Sequence, residues 1–174
     1  MNLTVIISGT AVIAIFSWFL SIKHGRYHGI PRFFAFESIF LLFLLNFRVW
    51  FHNPFALHQI ISWILLILSA WIAIDGFLRL KRKGKPTRNF ENTTVLVKSG
   101  IYGLIRHPLY LSLFLLGTGI MIKDMGPVSL IPAVVNFIAI YFTARIEERE
   151  MIKKFGDAYR EYMKETKMFV PFVV

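Results

Sequence analysis

The stretch LTVIISGTAVIAIFSWFLSI, Leu3 to Ile22, runs for twenty residues without a charged side chain. A bilayer core of about 30 Å takes roughly 20 helical residues, and a helix satisfies every backbone amide within its own segment, as lipid demands. The run therefore predicts a transmembrane helix. It has neither the basic residues nor the convincing small-x-small cleavage site of a secretion signal, so it reads as a retained span.

The pattern recurs downstream. Phe33 to Phe51 is rich in Phe and Leu and stops at Asn53-Pro54. Ala56 to Leu78 is expected to pair with it in a hairpin. Leu109 to Ile122 is shorter, 14 residues or about 21 Å of helix, and either starts earlier, near Leu104, or does not cross fully. Val128 to Ala144 follows the turn Lys123-Asp124-Met125-Gly126-Pro127. Beyond Ala144, Met151, Phe155, Tyr159 and Tyr162 recur at helical spacing among charges, which predicts an amphipathic helix lying on the membrane or over the bundle. The run Lys81 to Arg88 is too charged for lipid and reads as a surface loop. The expected fold is all-α: a polytopic bundle of about five spans with a C-terminal amphipathic cytoplasmic helix. It forms one membrane-embedded domain over 1–174, with three spans in 1–78 and a catalytic-type core in 93–174.

Composition agrees. The chain has 174 residues, 56% hydrophobic, with a net charge of +10 and no cysteine, and its mean hydropathy is +0.58. In a soluble protein that charge would suggest nucleic acid; here the basic residues cluster between apolar spans, so membrane and not nucleic acid is the expected partner. Five spans put 18 of the 20 Lys and Arg residues on one side, which by the positive-inside rule places the N-terminus outside and the C-terminus in the cytoplasm. His24, His28, His52 and His58 sit at span ends without ligand spacing, so no metal site is expected. Asp75 and Arg79, four apart, read as a boundary ion pair. Trp18, Trp50, Trp63 and Trp71 mark interfaces and lipid-facing surface. Gly117 and Gly119 form a small-residue packing surface.

Polar chemistry gathers at the cytoplasmic ends of the last two spans. Arg106-His107-Pro108-Leu109-Tyr110 starts span four; Pro108 suits a first helical position, and a positive helix end beside Arg106 and His107 favours an anion. Just past span five, Arg145 and Arg149 flank Glu147-Glu148. Cationic donors facing carboxylates suit a zwitterion carrying an extra positive charge.

Gly100-x-Tyr102-x-x-x-Arg106-His107-Pro108-x-Tyr110, a helical hairpin, Glu147-Glu148, Phe155-Gly156-x-x-Tyr159-x-x-Tyr162 and Pro171 follow in order. From about Thr93 onward the chain resembles the isoprenylcysteine carboxyl methyltransferase family, related to the phospholipid methyltransferases. The resemblance implies a membrane-embedded enzyme using S-adenosylmethionine on a lipid or amphiphilic acceptor. It implies cofactor contacts at Thr94, Val95, Leu96, Val97, Tyr102, His107, Pro108, Leu109, Tyr110 and Glu147. His107 suits the methionyl carboxylate, Glu147 the ammonium or ribose hydroxyls, and Tyr102 or Tyr110 the sulfonium. Glu148 and Arg106 are the catalytic candidates, with Glu148 or His107 as base for an amine or hydroxyl acceptor. Prenylcysteine methyltransferases carry an Arg four residues before that Glu. Here Thr143 holds the position, and Arg145 lies about 200° around a helix from it, so these two candidate substrate positions point to a different lipid or amphiphile. Two rival readings are a sterol-type membrane reductase, which would bind NADPH, and a non-catalytic membrane protein, which would bind neither cofactor.

Overall fold

In the computed structural model, which describes residues 2–87 and 92–170, the apolar runs are helices: α1 (Leu3–Leu20), α2 (Gly29–Asn46), α3 (Leu57–Lys83), α4 (Pro108–Lys123) and α5 (Pro127–Phe155). A short α6 (Asp157–Glu165) follows. Arg88 and Pro171 lie outside the described residues. Among the described residues α1, α2, α3 and α5 are long and apolar enough to cross a membrane, while α4, with 16 residues or about 24 Å, is shorter. It starts at Pro108, not near Leu104, because Gly100–Gly103 is a separate 3-10 turn.

Two expectations need correction. The hairpin of the second and third spans is not a main packing unit: α3 packs chiefly on α4, and α2 on α5. Lipid is as apolar as leucine, so small and polar residues decide which helices meet. Ser62 Oγ donates to the Gly119 carbonyl at 2.6 Å and Ser69 Oγ to that of Ser112 at 2.7 Å, while Gly76 lies against Leu109 and Pro108. Gln59 Nε2 donates to the Lys123 carbonyl at 3.1 Å. Residues 62, 69 and 76 recur every seven positions, two helical turns, so one stripe of α3 meets α4 antiparallel along its length. Asn136 joins α5 to α2 by donating to the Ala35 carbonyl at 3.0 Å, and the same side chain closes over Gly117 of α4. The Gly117–Gly119 surface thus packs as the sequence suggests, one glycine toward α5 and the other toward α3.

The second correction concerns the C-terminal helix. No break falls at Ala144; α5 continues to Phe155, and the amphipathic segment is shared between its last turns and α6. The change of direction comes at Gly156, whose φ of +58° is readily reached only without a Cβ. Likewise α3 runs on through Arg79, which pairs with Asp75 at 2.6 Å, to Lys83, where its cations suit the helix's negative end. The first residues of the expected surface loop are therefore helical.

The ends of α1, α3 and α5 and the starts of α2 and α4 meet at one end of the bundle. There the segment after α6 lies along the start of α4: Arg106 N–H donates to the Lys167 carbonyl at 2.8 Å and His107 N–H to that of Met168 at 3.2 Å. Lys167 N–H returns a bond to the Leu104 carbonyl at 3.2 Å.

Candidate active site

A cavity of about 340 Å³ is sunk into that end of the bundle. Pro108 starts α4 there with a ring that needs no hydrogen bond, and the strap of residues 166–168 fixes His107 and Arg106 on the preceding backbone. His107, Pro108, Leu109 and Tyr110 line one wall, with Arg106 beside them; Leu96, Val97 and Tyr102 line another, and α5 contributes Glu147.

His107 is buried, and its ring stacks on Tyr110 with centroids 5.4 Å apart. His107 Nδ1 lies 3.7 Å from Glu147 Oε2 and Nε2 lies 3.6 Å from Glu148 Oε1. Both distances exceed hydrogen-bond length, and His107 Nε2 is enclosed without a hydrogen-bond partner. An enclosed polar atom of that kind is costly to leave unsatisfied. Tyr102 is held by its neighbours: its carbonyl accepts from Tyr162 Oη at 2.6 Å and its own hydroxyl donates to the Gly76 carbonyl at 3.4 Å. Burial pushes the phenols of Tyr102, Tyr159 and Tyr162 above their usual range, so they remain neutral hydroxyls. Gly100, at φ +64°, lets the guanidinium of Arg79 lie against the backbone just ahead of Tyr102.

Other expected site residues fall elsewhere. Glu148 is not on the cavity wall: Arg106 Nε meets Glu148 Oε1 at 2.7 Å with both side chains buried, and Arg106 Nη1 donates to the carbonyls of Met163 and Thr166. The catalytic pairing expected of them is instead a clamp joining α4, α5 and α6. Thr143 is fully buried one turn further into the bundle, with its hydroxyl donating to the Ala139 carbonyl at 2.6 Å. Arg145 is half-exposed, 3.8 Å from Glu148 Oε2. Neither reaches the cavity, so the expected substrate contacts are not made there. Thr94 and Val95 are exposed, because the chain doubles back to bond the Gly84 carbonyl and turns their side chains outward.

The sequence reading missed the far wall. Phe16 of α1, Arg32 and Phe36 of α2, and Ala73 and Phe77 of α3 all line the cavity. Arg32 sat among loop cations in the sequence; its place directly after Pro31, at the start of an apolar helix, was the available signal. His28 sits at a span end, directly before α2. It is fully buried and meets Glu150 Oε2 at 2.7 Å, tying the start of α2 to α5. Among the described residues no group of three or more His, Asp or Glu side chains converges as a metal site would require.

Fold and site together define a multi-pass helical membrane protein with a largely apolar, aromatic-walled cavity at one end of its bundle, carrying Arg32, Arg106, His107 and Glu147. The phospholipid methyltransferase family matches residues 57–158, more than half of the sequence, and the chain belongs to that family. It is 34% identical over 86 residues to the protein-S-isoprenylcysteine O-methyltransferase of Saccharomyces cerevisiae, covering 48% of this chain and 35% of that one. To the methanethiol S-methyltransferase of Crocosphaera subtropica it is 27% identical over 129 residues, 72% of this chain and 48% of that one. To the protein-S-isoprenylcysteine O-methyltransferase of Homo sapiens it is 28% identical over 131 residues, 65% of this chain and 46% of that one. The chain thus spans less than half the length of each of these relatives.

Proposed function

We propose that the chain is an integral membrane methyltransferase that uses S-adenosylmethionine to methylate a lipid or amphiphilic acceptor, with its active site at the cytoplasmic face. The observation that carries this reading is the meeting of His107 and Glu147 on the cavity wall, His107 Nδ1 3.7 Å from Glu147 Oε2, with Tyr110 stacked on the imidazole. That donor set fits the cofactor: an imidazole for a carboxylate, a carboxylate for an ammonium or ribose hydroxyls, and aromatic faces for a sulfonium. His107 and Glu147 would hold the amino-acid end, and Leu96, Val97, Tyr102 and Tyr110 would enclose the remainder. When bound, S-adenosylmethionine supplies a methyl group activated on sulfur.

The protein's own tasks are then orientation and exclusion of water. The clamp of Arg106 on Glu148 keeps α4 and α5 at a fixed separation, so His107 and Glu147 are preorganised. A carboxylate acceptor is already ionised and needs no base. An amine or hydroxyl acceptor has to shed a proton, and with Glu148 committed to Arg106, Glu147 and His107 are the wall residues able to take it. The charge asymmetry supports a cytoplasmic site, where a water-soluble donor and a membrane-borne acceptor would meet.

The test is calorimetry of purified protein in detergent with S-adenosylhomocysteine. Binding is expected, with a loss of about tenfold or more in Glu147→Gln, the scale of one charged hydrogen bond. Glu161→Gln, on the exposed face of α6, should leave it unchanged. No heat at millimolar ligand, or binding of NADPH in its place, overturns the reading.

A further inference from the structure

The part of the cavity's far wall built by α1 and α2 lies outside the stretch matched to the family. Phe16 and Phe36, whose rings meet edge-on at 5.9 Å, line the cavity on one side and a second hollow of about 450 Å³ on the other. This second hollow is a groove between α1, α2 and α4, walled by apolar side chains such as Ile39, Phe43 and Leu116 and reaching Trp50 at its far end. Phe36 and Phe43 are seven residues apart, so the groove follows α2 for at least about 10 Å along the bundle. That one pair of rings is the wall the groove shares with the cavity.

Arg32 stands one turn before Phe36, on the same face of α2. It lines the cavity, is 3% exposed, and donates from Nη2 to Ser21 Oγ at 2.6 Å. A guanidinium stays charged at any physiological pH and offers paired donors matched to a carboxylate or phosphate. The cavity therefore has a carboxylate, Glu147, on its α5 wall and a permanent cation on its α2 wall, one turn from the ring it shares with the apolar groove. That order of charge and then hydrocarbon is the profile of an amphiphile's head and tail.

Resting on the methyltransferase reading of this cavity, we propose that Arg32 anchors the anionic group of the methyl acceptor while the groove beyond Phe16 and Phe36 holds its hydrocarbon chain. The acceptor is then a long-chain amphiphile with a carboxylate or phosphate near the reacting atom. Arg32 acts as a specificity residue, and a head without negative charge loses its partner on that wall.

The experiment uses the protein in phosphatidylcholine nanodiscs with 12-bromododecanoate, whose bromine quenches tryptophan fluorescence at close range and so reports arrival at Trp50. Saturable quenching is expected, competed by dodecanoate or dodecyl phosphate but not by dodecanol, and absent in Trp50→Phe; the stronger competitor identifies the anion. Arg32→Gln should weaken binding about tenfold, as loss of a charged hydrogen bond implies, and Arg32→Lys, which restores charge, should recover part of it. S-adenosylhomocysteine binding, measured separately, should be unaffected by either substitution. Equal competition by dodecanol, or no effect of Arg32→Gln, overturns the proposal. So does loss of S-adenosylhomocysteine binding in Arg32→Gln, which would assign Arg32 to the donor. Failure of the unmodified protein to bind S-adenosylhomocysteine defeats instead the methyltransferase reading on which the proposal rests.

Discussion

Glu147, Glu148 and Glu150 lie within one turn of α5 and face three different partners: His107 across the cavity at 3.7 Å, Arg106 at 2.7 Å and His28 at 2.7 Å. Consecutive helical residues point about 100° apart, so the acidic cluster distributes its charges among α4, the clamp and the start of α2. Breaking a buried ion pair from one side leaves the other charge uncompensated, at about 3–5 kcal/mol. Arg106→Leu and Glu148→Leu should each destabilise by that order in a denaturant titration, and the double variant should cost clearly less than their sum; strict additivity would refute the clamp. That Glu147 lies on the cavity wall agrees with what the motif order implied. That its neighbour Glu148 does not was hidden, because the partner of a carboxylate depends on how α6 returns to α4. The burial of His28 was hidden for a similar reason: its partner Glu150 is 122 residues away, beyond anything local spacing records.

At the scale of the helix, existence was easier to read than extent or pairing. Hydropathy located all five apolar segments, and Pro108 marked the start of α4. Hydropathy says nothing of where a helix stops once it leaves lipid, so the charged ends of α3 and α5 were cut short in the sequence reading. Pairing was hidden because apolar faces look alike, and the choice falls to Ser62, Ser69, Gly76 and Gly117. A Cβ on Gly117 would come within 2.6 Å of Asn136 Oδ1, whereas one on Gly126 would meet nothing within 4 Å. Gly117→Ala should therefore cost about 1–3 kcal/mol through overpacking, and Gly126→Ala should stay within about 0.5 kcal/mol. Detergent unfolding curves of the two variants measure the difference, and equal stability would show that the α4–α5 contact has slack.

For the whole molecule, the five helices alternate direction so that every cavity residue collects at one end, with Asp124 and Met125 at the other. The absence of cysteine allows this to be read directly. A single cysteine at Lys164→Cys should react with an impermeant maleimide only when the cytoplasmic side of sealed vesicles faces out, and one at Met125→Cys only in the opposite orientation. Labelling of both from one side would show that α4 or another helix does not cross. Charge asymmetry gave the sequence-based expectation that the motif residues share one end, whereas the contribution of α1 and α2 to the cavity wall was not legible, since Phe16 and Phe36 look like any lipid-facing residues until the bundle closes. The strap of residues 166–168 adds a temporal consequence. The main-chain bonds that fix Arg106 and His107 come from residues synthesised after all five apolar helices, so during translation those helices can already be in the bilayer while the cavity still lacks one side. Until the ribosome has released the strap, the nascent bundle can be inserted while the backbone ahead of α4 is still unpinned.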